Sequence, residues 1–227
     1  GLYHASEFFG ISSTASTNVS GGIIRVGSLR AETAGTFQPS GGTVEIQTDN
    51  NTLGSIRCSN GNYFHDLNIN PLITIIGGGY LNTDVVVQHD LVVTGGYLLF
   101  NGYELTVNND VTIFDRLKMD DPNDVLNVGN GVDDQITWKT GSSCELTTQG
   151  TINVYGDWTF ENGVDSQIGT GNTVVFYGNY NSTITNNDPD VSFGNLYINK
   201  IFPTYFDVDI PTGTTVRVGE DLNIQEG

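Results

Sequence analysis

The segment VVVQHDLVV (residues 85–93) shows the pattern that organises this sequence: two short apolar runs separated by a polar break that ends in aspartate. Three other segments repeat it, namely LTVNNDVTI (105–113), INVYGDWTF (152–160) and VRVGEDLNI (216–224). Apolar residues alternate with other residues on both sides of the break, which is the period of a half-buried β-strand. Each copy therefore predicts two strands joined at a corner.

The aspartate shared by the four copies suits a corner, because its side chain can accept hydrogen bonds from nearby backbone N–H groups. We therefore interpret Asp90, Asp110, Asp157 and Asp221 as corner residues rather than catalytic acids. Asp90 and Asp110 are 20 residues apart, a plausible length for one coil of a solenoid. At about 20 residues per coil, the chain would form roughly 11 coils.

Each copy also has a valine three residues before its aspartate. Val87, Val107, Val154 and Val218 are therefore expected to be buried at equivalent places on stacked parallel strands. Helical periodicity is nearly absent, and the hairpin signals that would favour an antiparallel sandwich are few. We predict an all-β fold, a right-handed parallel β-helix (β-solenoid) with roughly 20 residues per coil.

A longer repeat of about 130 residues overlies the short one. The segment GGTVEI (41–46) matches GNTVVF (171–176), and FHDLNIN (64–70) matches FGNLYIN (193–199), in the same order. The chain is therefore expected to contain one full unit and part of a second.

These matches predict three parts in the chain. Residues 1–40 form an N-terminal segment that supplies the first coils or a cap, residues 41–170 form the first β-helix unit, and residues 171–227 form a second, incomplete unit continuous with the first. No capping pattern follows the last copy of the motif. We therefore expect a segment of a longer surface protein or fibre, on which other subunits or domains stack end to end.

The charge of the chain is strongly one-sided, with 8 basic and 26 acidic residues and a formal net charge of −18. Such a surface disfavours nucleic acid and anionic lipid, because both need Lys and Arg to neutralise phosphate. No apolar run approaches the length of a membrane span, so neither a nucleic-acid partner nor membrane insertion is expected. The two cysteines, Cys58 and Cys144, do not make a disulfide framework, and we interpret both as buried thiols.

Acidic loops offer the best candidates for a bound ion. Hard cations such as Ca²⁺ take several oxygen ligands, which Asp121, Asn123, Asp124 and Asp133 can supply. Their spacing is not that of an EF-hand, and solvated turns are the simpler interpretation of both loops. No cofactor other than calcium is suggested.

No catalytic set is visible in the sequence. His4, His65 and His89 lack the context of a known catalytic motif, and we interpret them as solvated or structural. A polysaccharide lyase needs clustered carboxylates beside a basic residue, and Arg116 and Lys118 form the only close basic pair beside acids. The chain is therefore predicted not to be an enzyme, with a polysaccharide lyase or a glycoside hydrolase as the alternative.

Aromatic side chains provide the remaining candidates for ligand binding. Tyr80, Tyr97 and Tyr103 each follow a glycine, and exposed tyrosines at these positions could stack on sugar rings. Simple packing or isolated surface tyrosines are the competing interpretation. Trp158 and Phe160 occupy the apolar positions of the repeated motif and are expected to lie in the core.

Three segments resemble repeats of large secreted and surface-anchored β-helix proteins of Gram-negative bacteria, many of which carry a C-terminal sorting domain for type IX secretion. The segments are GNTVVF (171–176), FGNLYINK (193–200) and VGEDLNI (218–224), with weaker copies upstream to about residue 41. The resemblance implies an extracellular, repetitive scaffold or adhesin, and it assigns no catalytic residues.

These observations together lead to a prediction of function. We expect a non-catalytic structural or adhesive module of an extracellular or cell-surface protein. Cell-surface glycans or proteins are further candidate partners. The alternative is a carbohydrate-binding or polysaccharide-cleaving β-helix.

Overall fold

The structure is a computed structural model that describes most of the chain. The described residues are 2–11, 19–34, 36–49, 52–72, 77–131, 133–165, 168–200 and 207–225. Within these residues the chain forms 21 β-strands and no helix. Every pairing between these strands is parallel.

The strands are numbered in chain order, and most of them are three to six residues long. They are β1 (Leu2–Gly10), β2 (Ser20–Ala31), β3 (Gly41–Ile46), β4 (Leu53–Cys58), β5 (Asp66–Ile69), β6 (Gly78–Leu81), β7 (Val85–Val87), β8 (Leu91–Val93), β9 (Tyr97–Leu99), β10 (Glu104–Val107), β11 (Val111–Ile113), β12 (Arg116–Lys118), β13 (Val125–Val128), β14 (Gln135–Trp138), β15 (Gln149–Val154), β16 (Asp157–Phe160), β17 (Gly171–Gly178), β18 (Ser182–Asn186), β19 (Asn195–Lys200), β20 (Val208–Asp209) and β21 (Leu222–Ile224). Short strands between frequent turns are what the alternating pattern predicts.

The strands form three parallel stacks, which the chain visits in turn as it coils. Stack 1 contains β3, β5, β8, β11, β14, β16, β18 and β20; stack 2 contains β4, β6, β9 and β12; stack 3 contains β7, β10, β13, β15, β17, β19 and β21. The long strand β2 joins the first two stacks, because residues 23–26 pair with β3 and residues 29–31 pair with β4.

This architecture confirms the predicted all-β, parallel β-solenoid class. The solenoid has about nine turns of roughly 22 residues. The predicted number of coils, roughly 11, was therefore too high, and the predicted coil length of about 20 residues was slightly too short. Corresponding residues of neighbouring coils are 20 apart at Gln88 and Asn108 but 26 apart at Asn127 and Asn153. The coil length varies because loops of different length leave the strands, while the strand pairings keep their register except for shifts in the pairings of β2 with β1 and β3.

Inward-facing apolar side chains fill the interior of the coils. In one cluster, the ring centroid of Trp158 lies 5.2 Å from that of Phe160 and 5.1 Å from that of Phe193. All three side chains are buried, which confirms the prediction for Trp158 and Phe160. Cys58 and Cys144 are also buried and free, as predicted, and burial raises the pKa of the Cys58 thiol to about 12.

The valines of the repeated motif stack as predicted in three of the four copies. Val87 pairs with Val107, and Val107 is joined through Val128 to Val154. These side chains are fully buried. The prediction was wrong for Val218, which is only half-buried and pairs with Phe193 instead of extending the valine stack.

The two copies of the longer repeat make the same strand pairings. In the first copy Val44 pairs with Leu67, and Leu67 with Leu91. In the second copy the corresponding residues, 174, 196 and 222, pair in the same way. The first copy, however, lies in stack 1 and the second in stack 3. The repeat unit is therefore not a whole number of turns. The sheets run across the predicted boundaries at residues 40/41 and 170/171, while the division into units stays a prediction.

The corner aspartates bond to backbone N–H groups, as their residue type suggested, but across coils rather than within one corner. Asp66 Oδ1 accepts from the N–H of Asp90, and Asp90 Oδ1 accepts from the N–H of Asp110. Asp110 Oδ1 in turn accepts from the N–H of Gln135. The carboxylates thus form a ladder along one corner, which we call the corner ladder, and each rung ties a coil to the next.

Asp157 and Asp221 take part in similar hydrogen bonds between neighbouring coils. Asp157 Oδ1 accepts from the N–H of Thr183 at 2.7 Å. At Asp221 the ladder bond runs from its own N–H to Asn195 Oδ1, at 3.4 Å. An amide oxygen can therefore take the place of the carboxylate at this kind of corner.

Candidate functional site

Two histidines and an aspartate meet on the corner ladder. Residue 65 lies between Phe64 and β5, and residue 89 lies between β7 and β8 one coil later. The N–H of His89 donates to the carbonyl of His65 at 2.9 Å, so the two backbones are in register. The imidazole ring centroids are 5.1 Å apart. Asp66 lies between them: His89 Nδ1 is 2.9 Å from Asp66 Oδ1, and His65 Nδ1 is 3.2 Å from Asp66 Oδ2.

The electrostatics of this cluster favour a positive charge on His89 and a negative charge on Asp66. The hydrogen bond to Asp66 is the main reason that the pKa of His89 is raised, and the negative charges of Asp90 and Asp110 add to it. Burial raises the pKa of Asp66, but its contacts with His89, the Asp90 N–H and His65 outweigh burial and lower the pKa overall. The cluster therefore holds a negative carboxylate between two imidazoles.

This cluster was not found by sequence reasoning, which interpreted each histidine separately as solvated or structural. His65 belongs to an alternating strand pattern and His89 to a corner, so nothing in a single copy of the motif joins them. A signal was present all the same: His-Asp-Leu occurs at residues 65–67 and again at 89–91, one coil apart. Side chains at the same motif position on neighbouring coils meet when the coils stack.

A second cluster centres on Lys200, whose side chain is 7% exposed. Its ammonium group donates to the carbonyls of Tyr155 at 3.2 Å and Tyr177 at 3.0 Å, and to Ser182 Oγ at 2.6 Å. These acceptors belong to preceding coils, so one side chain ties together three turns. Ser182 is 1% exposed, so its hydroxyl is a buried hydrogen-bond acceptor for Lys200 and not an accessible nucleophile. This role was not predicted, because Lys200 lies at the end of a strand pattern and nothing in that pattern indicates its acceptors.

Burial lowers the pKa of Lys200 to about 8, although the negative charge of Asp157 opposes the shift. A lysine in the unfolded chain titrates near 10.5. Between these two pH values the unfolded chain binds more protons than the folded chain, so the free energy of unfolding should rise with pH across this window. We expect a rise of about 3 kcal/mol from this group.

The measurement is the free energy of unfolding in urea from pH 7 to 11, for the wild type and for Lys200→Met. Taking the difference between the two curves cancels the other titrating groups, which both proteins share. The difference should change across the window and level off above it. Parallel curves would contradict the assignment of a buried, charged lysine.

The residues proposed as calcium ligands lie in two different loops. Asp121, Asn123 and Asp124 share the loop between β12 and β13, while Asp133 is exposed in the loop before β14. Asp121 Oδ1 accepts from the N–H of Asn123 at 2.9 Å. The carboxylate of Asp124 is buried and accepts from the N–H groups of Gly102 and Asp121. Burial raises its pKa. This loop is closed by its own hydrogen bonds, and calcium binding there stays a prediction.

The tyrosines proposed for sugar stacking are all half-buried. Tyr80 and Tyr97 lie in stack 2 on neighbouring strands but in different registers, because Tyr97 pairs with Gly78 and not with Tyr80. Tyr103 lies in the turn before β10 and packs against the core. The three rings therefore do not form one continuous row, and sugar stacking by them stays a prediction.

The close basic pair is engaged by neighbours within the fold. Arg116 Nε lies 2.9 Å from Asp115 Oδ1, and Lys118 Nζ lies 3.3 Å from Asp120 Oδ2. Both cations also lie near the ring of Tyr97, at 5.9 and 6.0 Å from its centroid. These contacts give Arg116 and Lys118 structural partners on the surface of stack 2.

A cluster of tyrosines that the sequence analysis did not single out lies at the other end of the solenoid. The ring of Tyr155 makes edge contacts with Tyr177 and Tyr180, at centroid distances of 5.4 and 5.7 Å. Tyr180 is 36% exposed. The cluster forms because Val154 pairs with Phe176, which puts the next residues, Tyr155 after β15 and Tyr177 near the end of β17, at the same place on neighbouring coils. Its signal in the sequence is a tyrosine directly after each of two apolar residues that pair.

The fold and these clusters define a parallel β-solenoid of repeated coils. No protein-family model, curated protein or solved structure matches the chain. Among the described residues there is no helix that could cross a membrane.

Proposed function

We propose that this chain is a non-catalytic structural module of an extracellular or cell-surface protein, in which the solenoid is a stiff spacer that displays its loops to a partner. The observation that supports this best is the use of polar side chains to join coils. The carboxylates of the corner ladder accept N–H groups of the next coil, and Lys200 joins three coils. Groups that a catalytic site would use are engaged in holding the stack together.

The acidic surface supports the same proposal. A formal net charge of −18 opposes sideways association of solenoids, because like charges repel along their whole length. The charge also opposes the binding of acidic polysaccharides, the usual substrates of lyases built on this fold. The resemblance to secreted and surface-anchored repeat proteins is the support for an adhesive, extracellular role.

End-to-end stacking is the mode of partnership that we propose. Leu222 and Ile224 of β21 are 58% and 65% exposed, whereas Leu196, which pairs with Leu222, is 2% exposed. Apolar side chains and the outer edge of β21, with which no further strand of the described residues pairs, are suited to being covered by a further coil from another subunit or domain. Cell-surface glycans or proteins remain candidate partners for the loops.

A second candidate function, carbohydrate binding with or without cleavage, is favoured by one observation. The cluster of Tyr155, Tyr177 and Tyr180 presents aromatic rings at a corner, and aromatic faces are the usual platforms for sugar rings. This cluster is a better candidate than the tyrosines singled out from sequence, because its members contact each other.

The experiment that separates the two functions combines a glycan array with a reducing-sugar assay on pectin, alginate and neutral polysaccharides, with and without calcium. For the structural module we expect no turnover, no glycan binding that depends on the tyrosine cluster, and labelling of intact source cells by an antibody to the chain. Glycan binding that Tyr180→Ala abolishes and the control Tyr197→Ala preserves would establish the second function instead. Turnover that Arg116→Ala or Lys118→Ala abolishes would contradict the non-catalytic proposal, and labelling only of permeabilised cells would contradict the surface location.

A further inference from the structure

We propose that His65, Asp66 and His89 form a binding site for one divalent transition ion of the zinc class, which would join two neighbouring coils at the corner ladder. The ligand atoms that these three side chains offer all lie within 4.8 Å of one another. This is the only such group of histidine, cysteine and acidic side chains among the described residues.

The spacing of the ligand atoms suits a small tetrahedral ion. Zinc bonds to imidazole nitrogen and carboxylate oxygen are about 2.0–2.2 Å long, so two ligand atoms on one ion are separated by about 3.3 Å. Asp66 oxygens lie 2.9 Å from His89 Nδ1 and 3.2 Å from His65 Nδ1. Small side-chain movements would open these contacts to ion–ligand distances, because the backbone already places all three residues at one corner.

An unsatisfied nitrogen is the second, independent observation. His65 Nδ1 is buried and makes no hydrogen bond, since its approach to Asp66 Oδ2 is close in distance but poorly aligned. Leaving a buried polar atom without a partner costs free energy. An ion bound between His65 and Asp66 would coordinate this nitrogen directly, in place of the nearby carboxylate oxygen with which it makes no hydrogen bond.

The chemistry of the ligands selects the class of ion. Two imidazoles and one carboxylate suit zinc and similar first-row transition ions, whereas calcium and magnesium prefer a set made of oxygen atoms only. The site is therefore distinct in kind from the calcium site predicted for the Asp121 loop.

Charge and access favour uptake of the ion. Asp90 Oδ2 lies 3.2 Å from His89 Nδ1, so a second carboxylate charge lies beside the site. Asp110 adds negative charge nearby. The His89 side chain is 49% exposed, which leaves the cluster open to solvent on one side. The bound ion would bridge the coil that contains β5 to the coil that contains β7 and β8.

The test is calorimetric titration of chelator-treated protein with zinc chloride, and separately with calcium chloride, for the wild type and four variants. The variants are His89→Gln, His65→Gln, Asp66→Asn and, as a control for the charge change, Asp190→Asn at an exposed residue of another coil. We expect one zinc ion per chain, at least tenfold weaker binding in the first three variants, and unchanged binding in Asp190→Asn. Calcium should not compete for the site.

His89→Gln is the decisive variant, because the side chain is exposed enough for its replacement to leave the fold intact, which circular dichroism would verify. His4 is retained in every variant. Zinc binding that survives in His89→Gln would place the ion elsewhere and overturn the proposal, as would the absence of zinc uptake by the wild type. Competition by calcium at equal affinity would overturn the assigned class of ion.

Discussion

Replacing Val107 with aspartate is expected to lower the free energy of unfolding by about 4 kcal/mol or more. Val107 is fully buried and pairs with Val87 on one side and Val128 on the other, so its side chain points into an apolar stack. A carboxylate at this position would lose its hydration without gaining a partner. The measurement is a urea titration followed by far-ultraviolet circular dichroism.

The matched control is Thr112→Asp on the neighbouring strand β11. Thr112 is half-buried and faces outward between Val92 and Thr137, so an aspartate there remains in contact with water. We expect this change to cost no more than about 1 kcal/mol, chiefly from the low strand preference of aspartate. Equal losses in the two variants would contradict the inward orientation of Val107 and with it the register of stack 3.

Replacing Gly156 with alanine is expected to lower the free energy of unfolding by about 3 kcal/mol, although the change adds only one methyl group. A Cβ at residue 156 would lie 1.9 Å from the carbonyl oxygen of Asp134 in the preceding coil. That oxygen accepts the N–H of Asp157 at 2.8 Å, so the two backbones cannot separate without losing an inter-coil hydrogen bond. The loss would be measured by the same urea titration.

Gly21→Ala provides the control for this prediction. A Cβ at Gly21 meets no atom within 4 Å, so alanine there should change the free energy of unfolding by less than about 0.5 kcal/mol. If Gly156→Ala were as well tolerated as Gly21→Ala, the coils would have to be further apart at this corner than the structure has them.

Gly156 occupies a motif position at which the other copies have larger residues. At the equivalent position, the one before the aspartate, the other copies have His89, Asn109 and Glu220. The motif alone therefore suggests that any turn residue is accepted there. Only the stacked coils show that the carbonyl of Asp134 comes too close for a side chain at this copy. The difference arises because loops of unequal length bring each coil to its neighbour at a slightly different place.

At the candidate metal site, too, the motif predicts part of the arrangement and the stacking of the coils decides the rest. The sequence contains two His-Asp-Leu segments one coil apart, and the pattern correctly predicted a corner at Asp90, although not at Asp66. It did not predict that the two imidazoles would meet around Asp66. Contacts of this kind depend on which coil stacks on which and in what register, and a single motif copy does not contain that information. Lys200 was missed for the same reason, since its three acceptors come from residues that are 18 to 45 positions away.

The sequence by itself determined the strands, their inward faces and the pairing of the long repeat. Alternation of period two places apolar residues on one face of each strand, and burial of that face fixes the register, because a shift by one residue would expose every apolar side chain. Both copies of the repeat accordingly pair in the same register, Val44 with Leu67 and Val174 with Leu196.

Only the tertiary structure decided which side of the solenoid each copy occupies. The side depends on the total length of chain between the copies relative to the length of a turn, and paired positions on neighbouring coils are here 19 to 28 residues apart. The first copy therefore lies in stack 1 and the second in stack 3. As a result Val218, which matches Val87 in sequence, pairs with Phe193 in the way that Val87 pairs with Phe64, and does not join the buried valine stack.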